Sequence, residues 1–307
     1  MSHISTKKKL HKYHKIYVQI YEDPSIHLRQ ITKNTRIARS TASRYIEEMY
    51  ELSIMKGPMI FVKPSRNYHH YVSFLKFRHP IAAYQGFEGF PTLLSRSLTV
   101  GCWNIMVISE KPMNLSLLKG LESSLLQDVK GVTHLSRVTS LNWNESLEKM
   151  YSALTPPREK TTLYEEIFYN PWGTEERILY EKFRHNARAH AMSILKECGI
   201  RYERYQEWFS QLPQYTDVYT AFFPRGLDQY FVFDFLFKTE YQTQLADILG
   251  MLPSTSVFFS MKDHLFARVS LLSKQEKDQL FSFVYKLGEE GYFTDIYNAS
   301  VIATSYW

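Results

Sequence analysis

Two arginines and three small hydroxyl side chains crowd one short stretch of this 307-residue chain: Arg39, Ser40, Thr41, Ser43 and Arg44. Ala42, Ile46 and Met49 recur at spacings of four and three, which predicts a helix with that stripe buried. A turn of about 100° per residue then sets Ser40, Ser43, Arg44 and Glu47 on the outer face, flanked by Arg39 and Thr41. Short hydroxyls let a helix approach a duplex closely, and arginines reach base edges and phosphates. A merely solvated face more often carries Lys/Glu pairs. Arg44 is the expected base or phosphate contact. After Gly57-Pro58, Met59 to Val62 reads as a strand. Lys63 and Arg66, at the turn beyond it, are expected against phosphates, where they add affinity without sequence preference.

The elements that would hold this face are legible on both sides of it. Leu10, Tyr13, Tyr17 and Ile20 define a first helix ending at Asp23-Pro24. Ser25 is expected to cap a short second helix carrying Leu28 and Ile31. Asn34-Thr35-Arg36 then turns the chain into the third. Three helices with that turn and a following strand predict a winged helix-turn-helix over residues 1–66. Residues 67–145 have another rhythm, with strands at Tyr71–Phe77, Ser97–Cys102, Trp103–Ile108 and Val132–Leu141. Helices are expected at His79–Phe90 and Asn114–Leu126. The order βαββαβ is that of a ferredoxin-like domain.

The same series returns. With a shift of 163, Ala42, Ile46 and Met49 become Tyr205, Phe209 and Leu212, apolar at every position. A linker over 146–173, with Pro156-Pro157, leads to a second, degenerate helix-turn-helix at 174–226. A second ferredoxin-like domain follows at 227–307. The expected class is α+β, a tandem duplication of winged helix-turn-helix plus ferredoxin-like βαββαβ domain.

Charge separates the copies. Residues 1–80 hold fifteen Lys/Arg against five Asp/Glu, whereas residues 174–226 hold eight against seven. Under the repeat shift Ser40 becomes Glu203 and Arg44 becomes Glu207, carboxylates where phosphates would approach. The first head is therefore the expected reader of double-stranded DNA. Two cysteines, no apolar run long enough to span a membrane and no signal-peptide pattern lead to an expected cytoplasmic protein. No nucleophile triad, phosphate-cradling glycine loop or metal-ligand spacing is present, so no catalytic residue, cofactor or metal is expected, and the chain is read as a non-enzyme.

A helix-turn-helix head followed by a βαββαβ domain resembles the leucine-responsive (feast/famine, Lrp/AsnC-like) transcription regulators. Ile37–Ile54 and Val100-Gly101-Cys102-Trp103-Asn104-Ile105-Met106-Val107 carry the likeness. The resemblance implies a sequence-specific regulator that pairs through its regulatory domains. It also implies a small effector, such as an amino acid, near Gly101, Trp103 and Asn104. Asn104 stands where the family usually has Asp, and Met261-Lys262-Asp263-His264 replaces the hairpin in the second half. Two chains, a homodimer, are expected to read a palindrome. Siroheme decarboxylases, which combine the same parts around a tetrapyrrole, are the alternative, as is a metabolite-sensing protein adaptor. Eleven histidines are present, but no histidine-containing hairpin or arginine-histidine cluster is evident along the chain.

Overall fold

The computed structural model describes residues 7–157 and 159–306, so the first six residues of the expected N-terminal domain lie outside it. The first head comprises α1 (Lys7–Glu22), α2 (Leu28–Thr35) and α3 (Arg39–Glu51), followed by β1 (Met55–Val62). Then come β2 (His70–Phe77), α4 (Pro80–Gly86), β3 (Leu93–Gly101), β4 (Ile105–Ser109), β5 (Leu121–Lys130), β6 (Thr133–Leu135) and α5 (Trp143–Ala153). The second half repeats the plan with α6 (Thr174–Phe183), α7 (Ala191–Cys198), α8 (Tyr202–Tyr215) and β7 (Thr216–Phe222). It ends with β8 (Phe231–Lys238), α9 (Gln242–Leu249), β9 (Val257–Met261), β10 (His264–Leu271), α10 (Lys274–Glu289) and β11 (Asp295–Tyr306).

The class is α+β, a tandem winged helix-turn-helix and ferredoxin-like fold. In the first head Tyr13, Ile16, Tyr17 and Ile20 of α1 pack on Ile31, Ala42, Tyr45 and Met49. Ser25 does not cap α2; its hydroxyl bonds to the Asp23 carboxylate, and His27 is the residue before the helix. The two heads share their wing. β1 pairs antiparallel with β7, Val62 opposite Thr216 and Met55 opposite Phe222, so each strand satisfies the other's edge.

The other strands form one nine-stranded sheet, in the order β5-β2-β4-β3-β11-β8-β10-β9-β6. Each half contributes four consecutive strands in ferredoxin-like order. They are joined where edge strand β3 pairs with β11. The sheet turns back on itself, so Val72, Phe74 and Met106 of the first half pack on Leu236, Phe259 and Phe266 of the second.

Two expectations for the first half are corrected: Val132–Leu141 yields only the short β6, which pairs with β9 of the second half, and β5 takes its place in the sheet. Asn114–Leu126 is not a helix: a single 3-10 turn at Leu115–Leu117 leads into β5. Its leucines have helical spacing, but pairing with β2 satisfies a row of backbone groups that would otherwise face an open edge. In the second half Phe235 and Phe237 pack with Leu245, Leu249, Leu280 and Phe283 of α9 and α10. Their neighbour Leu236 takes the inner face, as strand alternation requires.

Candidate functional site

On α3 the outer face is open. Arg39, Ser40 and Arg44 are exposed, and Thr41 and Ser43 are partly so. The Arg44 guanidinium lies 5.5 Å from the Tyr45 ring centre, and Ser43 Oγ donates over 3.4 Å to Glu47. Glu48 binds Lys9 of α1, so one carboxylate of this helix is already neutralised. In the second head Arg204 holds Glu175, Glu176 and Glu207 together, tying α6 to α8.

The wing residues stand differently. Lys63 is held by Glu165 at 2.9 Å and Asp217 at 3.6 Å, with its side chain only 13% exposed. Arg66 is exposed and stacks 4.4 Å from the Phe168 ring centre. At the β3–β4 hairpin, Trp103 is fully buried and edge-on to Phe74 at 5.0 Å. Asn104 donates to the Phe77 carbonyl and accepts from its N–H, clamping the hairpin to β2. A Cβ on Gly101 would meet the Asn298 carbonyl at 2.4 Å, so the close pairing of β3 with β11 demands glycine there.

A second constellation has no local sequence signal. His70 on β2 and Lys130 on β5 are directly paired residues, so both side chains lie on one face of the sheet. Lys130 Nζ donates to the Gly131 carbonyl at 3.0 Å and to Thr133 Oγ1 at 2.6 Å, and sits 4.8 Å from the Phe259 ring centre. Lys130 is 7% exposed, and none of its hydrogen-bond partners is a carboxylate. Burial pulls its ammonium down to about 7. A 2.8 Å hydrogen bond joins His70 Nε2 to the Tyr68 hydroxyl. Burial, with Lys130, Arg184 and His69 adding their charges, lowers His70 to about 3 and keeps it neutral. Arg177 of α6 lies over the Tyr68 ring at 5.9 Å. Arg184 pairs with Glu181 at 3.3 Å through one terminal nitrogen, while its Nε is buried without a hydrogen-bond partner among the described residues.

His70 and Lys130 come from the first half's sheet, Tyr68 from the segment before it, and Arg177 and Arg184 from α6 and the residue that follows it. The first half is therefore capped by the opposite head. Sixty residues of sequence separate His70 from Lys130, and only strand register unites them.

No family model matches the chain, and no curated protein matches it. Among solved structures, the siroheme decarboxylase NirDL is similar over 95% of this chain and 91% of its own, at 12% identity and a TM-score of 0.49. NirDL in co-complex with an iron-uroporphyrin III analogue is similar over 95% and 92%, at 12% identity and a TM-score of 0.47. PH0061 aligns with 38% of this chain and 89% of its own, at 13% identity and a TM-score of 0.30. Likeness at this level concerns the fold and assigns no residue of this chain. The expectation of a non-enzyme runs against these two neighbours, both named as siroheme decarboxylases, and is not carried forward. The winged helix-turn-helix and ferredoxin-like fold does not by itself make the chain a regulator. No helix among the described residues is long and apolar enough to cross a membrane.

Proposed function

We propose that the chain is an enzyme acting on a polycarboxylate substrate of the tetrapyrrole class, in the manner of a siroheme decarboxylase. The observation that carries this reading is Lys130, a buried ammonium whose hydrogen-bond partners include no carboxylate, paired across the strands with neutral His70. An unpaired charge away from water is costly, and an incoming carboxylate removes that cost. Arg177, over the Tyr68 ring at the outer edge of the cluster, would receive a further carboxylate, whereas His69 already faces Glu166 at 3.6 Å.

Loss of CO2 from a carboxylate leaves a carbanion, so the balance is R–COO⁻ plus H⁺ giving R–H and CO2. The site must deliver one proton. Lys130, poised near neutrality, is suited to donate it and to regain it from solvent, with the Tyr68–His70 pair holding the adjacent polar wall. Titration with iron-uroporphyrin III, followed by absorbance and then by product mass, tests the reading. A saturable spectral change and products lighter by CO2 are expected, both weakened at least about tenfold in Lys130→Met. An unchanged spectrum, or a Lys130→Met variant equal to wild type, overturns it.

A second reading rests on the open basic face of α3. In it Arg39, Ser40, Thr41, Ser43 and Arg44 enter a major groove, with Arg66 near a phosphate, in a cytoplasmic homodimer reading half-sites ~34 Å apart. A small effector such as an amino acid would approach the Gly101–Asn104 hairpin from its exposed tip. In either reading residues 1–66 and 174–226 are heads, 67–145 and 227–307 are sheet halves, and 146–173 is the linker.

A further inference from the structure

The two sheet halves invite direct comparison, because each follows the same strand order. In the second half residues 272–294 include α10, whose Leu280, Phe283, Val284 and Leu287 are buried over Phe235, Phe237 and Leu265. In the first half the corresponding segment is only residues 110–120, with one 3-10 turn. Met113, Leu115 and Leu118 of that segment are all that replaces a sixteen-residue helix.

The shortening leaves a groove open to solvent. It measures about 640 Å³ and lies between α4 and the segment before β5. Phe77, Ala83, Phe87, Phe90 and Leu118 form an apolar wall. Phe77 and Phe87 are nearly fully buried and meet edge-on at 5.9 Å, so the floor is a packed aromatic surface. The ionisable residues in the lining are His79 and Lys119; both are exposed, and no carboxylate lines it. Volume in the range of small-molecule pockets, an apolar floor and a cationic mouth together define the chemistry of the occupant.

We infer that this groove is a binding site for an amphipathic organic anion, an apolar body bearing one carboxylate. The body replaces the side chains that α10 supplies in the other half, and the carboxylate faces Lys119 and His79 at the mouth. The site is separate from the His70–Lys130 cluster. It lies on the helix-covered face of the sheet, whereas that cluster lies on the inner face with Phe259.

The test uses the full chain and 8-anilinonaphthalene-1-sulfonate, whose aromatic body and single anionic group match the site. Saturable binding at one probe per chain is expected, with a Kd on the order of 10 µM. Dodecanoate should displace the probe, and dodecylamine, with the same apolar body and the opposite charge, should not. Ala83→Trp, which fills the groove, should weaken probe binding at least about tenfold. Gln85→Trp, on the exposed side of the same helix, should leave it unchanged. If Ala83→Trp fails to fold, Lys119→Glu at an exposed position gives the decision through an expected loss of dodecanoate competition. Equal displacement by both dodecyl compounds, no saturable binding, or wild-type affinity in Ala83→Trp or, in its place, Lys119→Glu overturns the inference.

Discussion

Phe222 of β7 stacks on Tyr17 of α1, their ring centres 4.6 Å apart and their planes inclined by 23°. One ring belongs to each head, and both are fully buried. The Tyr17 hydroxyl also accepts the Val138 N–H at 3.0 Å, so the stack is anchored to the segment that leaves the sheet. The first head therefore finishes its core with a residue of the second.

Phe222→Ala should destabilise the whole chain by roughly 3–5 kcal/mol, the usual cost of removing a buried aromatic ring. Urea denaturation followed by Trp fluorescence and by far-UV circular dichroism measures it. The two probes should still report one transition, because the heads share this core. Separate transitions, with the first head melting unaffected, would show that the shared ring does not couple them.

The seam between sheet halves offers a second check. Asp234 is fully buried and receives two bonds from Arg268, at 2.7 and 2.8 Å, while Arg268 also donates to Ser97 Oγ of β3 at 3.2 Å. Asp234→Ala removes both of those bonds from the sheet and should cost about 3–5 kcal/mol. The double replacement Asp234→Leu with Arg268→Met should recover most of the loss. Calorimetric melting of the three variants decides it; a double variant as unstable as Asp234→Ala would contradict this account of the pair.

Lys130 makes stability depend on pH in a stated direction. The unfolded chain keeps this amine protonated up to about 10.5, and the folded chain only up to about 7. Between those values the unfolded state binds more protons, so stability rises with pH across that window and this contribution is lost as pH falls toward 7. Lys130→Met should therefore be more stable than wild type at pH 6, by about 1–4 kcal/mol, and the difference should close toward pH 10. His70 acts lower down. Its folded value near 3 against 6.5 unfolded means that stability is lost as pH falls from 6.5 toward 3. Melting curves at pH 6, 8 and 10 in both proteins test the Lys130 prediction, and an unchanged difference across that range would refute it.

The DNA reading has its own discriminating pair. Arg44→Glu should lower affinity for a random-sequence duplex at least about tenfold, through lost attraction and added repulsion, and flatten the salt dependence. Glu203→Ala in the second head should change affinity little. Lys63→Ala should also change it little, since Glu165 and Asp217 already hold that ammonium. Fluorescence anisotropy at several salt concentrations reads all three. Binding unaffected by Arg44→Glu would remove α3 from any nucleic-acid role.

Much of the fold is legible in the sequence because helical and strand periods are local. The repeat shift of 163 that aligns Ile37 with Ile200 also aligns the starts of α3 and α8, at Arg39 and Tyr202. The buried stripe of α3 departs only slightly from expectation: Ala42 and Met49 are buried as read, and Tyr45 is more buried than Ile46. The error over Asn114–Leu126 has a physical cause as well. Leu115, Leu118, Leu121 and Leu125 suit a helix, but Leu121, Leu125 and Leu126 serve a strand once β2 offers an unpaired edge.

By itself the sequence determined most of the helices and strands, though not β5, that they come twice, and that only one head has a basic outer face. Those properties reside in periodicity and charge over ten to twenty neighbouring residues. The tertiary structure alone decided that β1 pairs with β7, that β3 pairs with β11, and that His70 faces Lys130. Such pairings depend on which edges remain unsatisfied after the rest of the chain has packed, and side-chain patterns do not encode that. A buried lysine beside a histidine is invisible at a separation of sixty residues, because neither residue alters the local pattern around it.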